Sequence, residues 1–373
     1  MSITLILKTY KMKINKKFLK EYLNSNGPVG FEYDLGGSVK STQKIWIEEI
    51  SKYVDQVELD NYGTAYGVMG NLESDFKVVI EAHVDEISYL VNYIDSKGYI
   101  KVIRNGGSDT QITPSMRADI WTSDGKKIPA IFGHPAIHIH DRPKEVTLDS
   151  IFLDVGANSK EDVLKLGINI GSVVTLNGEL MELGKDYYTG RALDNRIGGF
   201  MIAEVARKLK EKDIKLPFKL YVVNSVQEEI GLRGAEMITQ TIKPNVAIVT
   251  DVCHETSSPC YNPTKQGEHI AGNGGVITRA PAVHNRLRKL ILDTAESKKI
   301  PHQLAASSTH TGTDTDSFAY SNGGTPSALI SLPLKYMHTT CETVHKKDIK
   351  SVIELIYETL LNIEENHNFK YNS

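Results

Sequence analysis

With 373 residues, 40% of them hydrophobic and 24% charged, the chain is long enough to bury an extended core and apolar enough to offset the entropy of ordering it. Lys and Arg number 43 against 46 Asp and Glu, and the formal net charge of -3 gives no field that would draw in a phosphate backbone, so nucleic acid is excluded as an expected partner. The three cysteines, Cys253, Cys260 and Cys341, form no close-spaced pair, which fits a reducing, cytoplasmic setting better than a disulfide-built secreted domain.

The opening run Met1–Leu7 is apolar but short, is followed by Lys8, Lys11 and Lys13, and lacks a small-residue cleavage site. It reads as a loose extension or an added strand. No apolar segment elsewhere reaches the about 20 residues needed to cross a bilayer, so no membrane role is expected. A weak helix is predicted around Phe18, Leu19 and Tyr22, and a stronger one where Trp46, Ile50 and Val54 recur every four positions. Lys77 to Ala82 is a short, β-branched apolar run and predicts a mostly buried strand.

From Ser88 to Gly184 the texture changes to short strand-like runs punctuated by glycines, with one short helix expected from Ser159 to Leu166. This segment, 88–184, reads as a small β-rich domain inserted between 1–87 and 185–373. Helical periodicity returns at Asp194, where Ile197, Met201, Val205 and Leu209 form one stripe. Phe218 to Val226, Val246 to Val252 and Ala328 to Leu332 are apolar runs of strand length, with helical stretches at Leu287 to Ala295 and from Ile349 through Leu360. Strands alternating with helices predict an α/β fold, a central, mostly parallel sheet flanked by helices. The polar end, His367 to Ser373, is expected to fray.

An open α/β sheet presents ligands beside the carboxyl ends of its strands, and five polar segments fall there. They are His83-Val84-Asp85, Asp194, Glu228-Glu229, Asp251 and His338. Imidazole and carboxylate suit zinc or a similar divalent ion, and a carboxylate has two oxygens with which to bridge two cations. Any one Asp or Glu is more often a solvated or capping residue, and only the joint placement argues for ligands. Adjacent Glu228 and Glu229 can take different tasks, one holding metal and the other moving protons, although two acids favouring a helix dipole is the ordinary alternative. No HExxH or Gly-x-Ser-x-Gly motif supports a thermolysin-like or serine-hydrolase site.

Five ordered motifs then carry a family resemblance: His83-Val84-Asp85-Glu86, Ala192-Leu193-Asp194-Asn195-Arg196, Gln227-Glu228-Glu229-Ile230-Gly231, Thr250-Asp251 and Tyr336-Met337-His338. Together they resemble those of the M42 aminopeptidases, also called glutamyl or tetrahedral (TET) aminopeptidases. The resemblance implies two divalent ions per subunit, zinc or else cobalt. His83, Asp194 and Asp251 would hold one, and Asp194 would bridge to a second held also by Glu229 and His338. Glu228 would be the catalytic base, and Asp85 would orient His83. It further implies peptide substrates trimmed from the N-terminus and a homo-oligomer, a tetrahedral dodecamer, with 88–184 as the contact domain. Gly312-Thr313-Asp314 and Gly324-Thr325-Pro326 match the family's late loops, whereas Thr315-Asp316-Ser317-Phe318 departs from them and puts Phe318 beside the expected substrate pocket. His310 and His345 read as local histidines rather than further ligands. A metal-dependent deacylase, a carboxypeptidase, or a noncatalytic peptide-binding assembly remains open from the residues alone.

Overall fold

The computed structural model describes residues 13–139, 145–259, 261–365 and 367–371, so the apolar run Met1–Leu7 and Cys260 lie outside the described residues. The strands are β1 Gln56–Leu59, β2 Ala65–Gly70, β3 Lys77–His83, β4 Ser88–Ile94, β5 Ile100–Asn105, β6 Arg117–Trp121, β7 Lys127–Phe132, β8 Leu153–Asp154, β9 Val173–Leu176, β10 Met181–Leu183, β11 Tyr187–Gly190, β12 Lys219–Ser225, β13 Val246–His254, β14 Gly275–Arg279, β15 His302–Ala306, β16 Ser327–Lys335 and β17 Glu342–His345. The helices are α1 Lys16–Asn24, α2 Thr42–Ile50, α3 Lys160–Lys165, α4 Leu193–Glu211, α5 Arg233–Ile242, α6 Pro263–Gln266, α7 Asn285–Lys298, α8 Thr315–Ala319 and α9 Lys346–Leu361.

One sheet runs β1-β2-β12-β3-β13-β16-β17-β11-β10, and β14, itself paired with β15, joins it at β16. Its centre, β12-β3-β13-β16, is parallel, and antiparallel strands extend it on both sides. Helix α4 packs on β3, β12 and β13 with α1, α2 and α9 around it, while α5 and α8 pack together and reach β12, β13 and β16. Coverage on both faces explains why the central strands are unbroken apolar runs: Val78, Val79 and Ile80 on β3 and Val246 to Val249 on β13 are all buried. Trp46 is fully buried and donates its indole N–H to the Gly199 carbonyl at 2.9 Å, which ties α2 to α4.

Strands β4-β5-β8-β7-β6-β9 close a separate six-stranded barrel with its own core, including Tyr89, Ile120, Phe132 and Val174. Within this segment α3 is capped by Ser159, whose hydroxyl accepts the Asp162 N–H at 3.1 Å. The last barrel strand ends at Leu176, and β10 already belongs to the large sheet.

Two sequence expectations are corrected. Helix α2 stops at Ile50, so Val54 lies beyond it and packs beside Gly67. The C-terminal segment, expected to be loose, is docked in part over its described residues: Phe369 is 4% exposed, and the Tyr371 ring, though exposed, stacks on His284 with centroids 4.6 Å apart. Apolar rings supply here the docking that the polar composition of the segment conceals. No helix among the described residues is long and apolar enough to cross a membrane.

Candidate metal centre

The carboxyl ends of the central strands bring the predicted donors together. His83 ends β3, Asp251 lies on β13, Glu228 and Glu229 occupy a single 3-10 turn after β12, and Asp194 lies in the first turn of α4. Asp194 and Asn195 depart from helical dihedrals, which turns the Asp194 carboxylate out of the helix toward the strand ends. His338 reaches in from the loop between β16 and β17 with φ +60, a left-handed conformation rare for a residue with a Cβ.

Asp194 stands between the two imidazoles. Its Oδ1 lies 3.2 Å from His83 Nε2, and its Oδ2 lies 3.3 Å from His338 Nε2. His83 Nε2 is also 3.7 Å from Asp251 Oδ1 and 3.8 Å from Glu228 Oε2, while His338 Nε2 is 3.4 Å from Glu229 Oε2. Donors about 2.0–2.2 Å from one tetrahedral cation are separated from each other by about 3.3–3.6 Å, so these spacings are close to those that a pair of divalent ions would require. Grouped by donor atoms within 4.8 Å of one another, the residues form two triplets, His83 with Glu228 and Asp251, and Asp194 with Glu229 and His338.

Electrostatics agree with the donor chemistry. Five carboxylates, those of Asp85, Asp194, Glu228, Glu229 and Asp251, converge on two imidazoles in a mostly buried setting. Burial, opposed by His83 and reinforced by Asp251, Asp314 and Glu229, pushes Glu228 up to about 11. Burial likewise pushes Glu229 up to about 7 despite its contact with His338. Burial works against charge on His338, yet its bonds to Asp194 and Glu229 lift it to about 11. Burial would raise Asp194 too, but the two imidazoles hold it below the usual carboxylate range. An excess of buried negative charge of this kind fits a site made for divalent cations.

Asp85 lies beside His83 and also meets the backbone of the paired acids. Its Oδ1 faces His83 Nδ1 at 3.4 Å and accepts the Glu228 N–H at 3.1 Å, while its Oδ2 accepts the Glu229 N–H at 3.1 Å. One buried carboxylate thereby holds the backbone of the paired acids and stands beside the imidazole. Beneath it, Glu86 is clamped by Arg191 and Arg196 and accepts the Gly27 N–H at 2.9 Å.

Sequence reasoning missed two positions. Glu342 Oε1 accepts the His338 N–H at 2.8 Å and its Oε2 accepts the Asp194 N–H at 3.0 Å, so it pins the backbone of both residues. Gly107, just after barrel strand β5, places its carbonyl 3.2 Å from His338 Nδ1, which leaves Nε2 to face Asp194 and Glu229. The only sequence signals were an acid four residues beyond His338 and a Gly-Gly pair. Phe318, expected beside the pocket, is instead fully buried in the core, because α8 turns it inward. His345 caps α9, its Nδ1 accepting the Lys347 N–H at 3.1 Å, and His310 is exposed.

Residues 63–355 match the family described as M42 glutamyl aminopeptidase. Lysyl aminopeptidase of Pyrococcus furiosus is 29% identical over 352 residues, covering 92% of this chain and 95% of its own. The TET aminopeptidase of the marine sediment archaeon Thaumarchaeota archaeon SCGC AB-539-E09 superposes with a TM-score of 0.87 at 26% identity, covering 94% of this chain and 96% of that one. PhTET1-12s, solved as a dodecamer, superposes with a TM-score of 0.80 at 25% identity over 93% of this chain and 98% of that one. The buried donor set and these relatives together support a metal-dependent peptidase.

Proposed function

The chain belongs to the M42 glutamyl aminopeptidase family, and from that premise we propose that it is a two-metal aminopeptidase that removes single residues from the free N-terminus of short peptides. The observation that carries the reading is the Asp194 carboxylate, with one oxygen 3.2 Å from His83 and the other 3.3 Å from His338. His83, Asp194 and Asp251 would hold one ion, and Asp194, Glu229 and His338 the other. The chemistry that two divalent ions, zinc or cobalt, would supply there is Lewis acidity toward the peptide carbonyl and a lowered pKa for water.

The chain's own residues do the rest. Glu228, beside His83 but more distant from it than Asp194 is, takes a proton from the attacking water and returns it to the leaving amine nitrogen. Asp85 holds the Glu228 backbone and the His83 ring in register, so base and ligand share one reference point. The same geometry supports a second role for Glu228, since it also falls in a triplet with His83 and Asp251 that could hold an ion.

Two measurements test this reading. Peptides with free and with acetylated N-termini, incubated with zinc- or cobalt-loaded protein and followed by mass spectrometry, should lose first residues only when the amine is free. Release from the C-terminus or of the acyl group would reassign the protein to carboxypeptidases or deacylases. Glu228→Gln should lower turnover by about 10²–10⁴-fold with both ions retained, whereas loss of an ion would make Glu228 a ligand. Residues 88–184 are proposed as the contact domain of a homo-oligomer, a tetrahedral dodecamer, in keeping with the dodecameric PhTET1-12s.

A further inference from the structure

A cavity of about 400 Å³ opens directly over the donor cluster. One wall is the set of six residues already assigned. The rest comes from β14, β15, β16, the 311–313 loop and a rim that includes His254, and among these described residues none is Lys, Arg, Asp or Glu. The rim carries two imidazoles, His254 and His269, and burial lowers His254 below its usual value.

Strand register places this uncharged surface next to the reacting bond. Asp251 on β13 is paired with Ser331 on β16, and Ser331 with Val276 on β14. Leu329 and Thr278, each two residues along from that row, share its face, because side chains alternate along a strand. Leu329, Ser331 and Thr278 are 3%, 2% and 6% exposed, so they make an enclosed floor one strand spacing from a proposed metal ligand. A peptide cut at its first bond must leave its remaining residues running out to solvent. The enclosed floor is therefore left for the first side chain.

We propose, resting on the aminopeptidase reading above, that this floor selects peptides whose first residue is neutral, with Leu, Met and Thr favoured, over those beginning with Asp, Glu, Lys or Arg. A charged side chain seated on this floor loses its water and meets no opposite charge among Thr278, Leu329 and Ser331, whereas an apolar or hydroxyl side chain meets Leu329 and the hydroxyls of Thr278 and Ser331. Thr311, half-buried on the facing loop, is the other side of the same slot.

The test is a competition among tripeptides X-Ala-Ala, with X as Leu, Met, Thr, Asp, Glu, Lys or Arg, together with acetylated Leu-Ala-Ala, on zinc- or cobalt-loaded protein. The expected result is kcat/KM at least about tenfold higher for Leu and Met than for any charged first residue. Thr278→Lys should raise the Glu-to-Leu ratio by about tenfold, and Thr311→Lys, on a loop where folding is less at risk, should shift it in the same direction. Hydrolysis of Glu-Ala-Ala or Lys-Ala-Ala as fast as Leu-Ala-Ala overturns the proposed selectivity and leaves the aminopeptidase reading standing. A ratio unmoved in both folded variants overturns the assignment of this wall. Cleavage of the acetylated peptide, or of none, overturns the reading beneath it and the selectivity with it.

Discussion

Replacing Gly107 with Ala adds a single methyl group 2.9 Å from both Cε1 and Nδ1 of His338. Ordinary contacts lie at about 3.5–4.0 Å, so the ring must retreat by roughly 0.6–1.1 Å. The backbone of His338 cannot follow, because Glu342 accepts its N–H at 2.8 Å. The side chain must rotate instead, which weakens the 3.2 Å contact with the Gly107 carbonyl and moves Nε2 away from Asp194 and Glu229. Loss of such an orienting contact typically costs about 10–100-fold in metal affinity, equivalent to about 1.4–2.8 kcal/mol. Gly107 is the clean position for this test. Its neighbour Gly106 has φ +90, where any side chain would add backbone strain, whereas Gly107 is not among the positive-φ glycines. Chelator-competition titration with zinc should show one site weakened within that range and the other unchanged, with His338→Ala as the control that loses the weakened site altogether. Two wild-type affinities in Gly107→Ala would refute the claim that this glycine positions the ring.

Other substitutions probe the same centre. Asp194→Ala removes the carboxylate that faces both imidazoles, so metal analysis should find occupancy reduced at both positions, and two fully occupied ions would count against the proposed bridge. Glu342→Gln keeps the shape but leaves one acceptor oxygen for two backbone N–H groups, and should destabilise the fold by about 1–3 kcal/mol in urea unfolding while weakening metal binding. An unchanged midpoint would show that water replaces the lost acceptor.

How much of this was legible depended on what each residue touches. Strands β3, β13 and β16 were readable because coverage on both faces forces continuous apolar runs such as Val78-Val79-Ile80. Strand β15, His302–Ala306, was not, since among the described residues it pairs with β14 alone and is half exposed, so no apolar pattern marks it. Strand β17 is only four residues long, too short for its alternation to stand out. Phe318 was misplaced because its neighbours in sequence resemble a loop, while the short helix α8 rotates the ring into the core.

The candidate site divides along the same line. His83, Asp194, Glu228, Glu229, Asp251 and His338 were readable because holding a cation, the role proposed for them, calls for particular side-chain chemistry at strand ends, and the fold gathers all six into two adjoining triplets. Glu342 and Gly107 act on or through backbone atoms, and backbone hydrogen bonds carry no residue code. A carboxylate that accepts two N–H groups looks in sequence like any acid before a strand, and a glycine that must lack a Cβ looks like any turn. Yet these two set where His338 points. Gly107 also follows β5 of the barrel, and Asn105 at the end of that strand donates to the Val29 carbonyl at 2.9 Å in the other part of the chain. His338, a proposed ligand, is therefore contacted from the barrel side as well as from the large sheet, so a displacement of the barrel that moved Gly107 would be felt first at His338 and only then at the neighbouring Asp194.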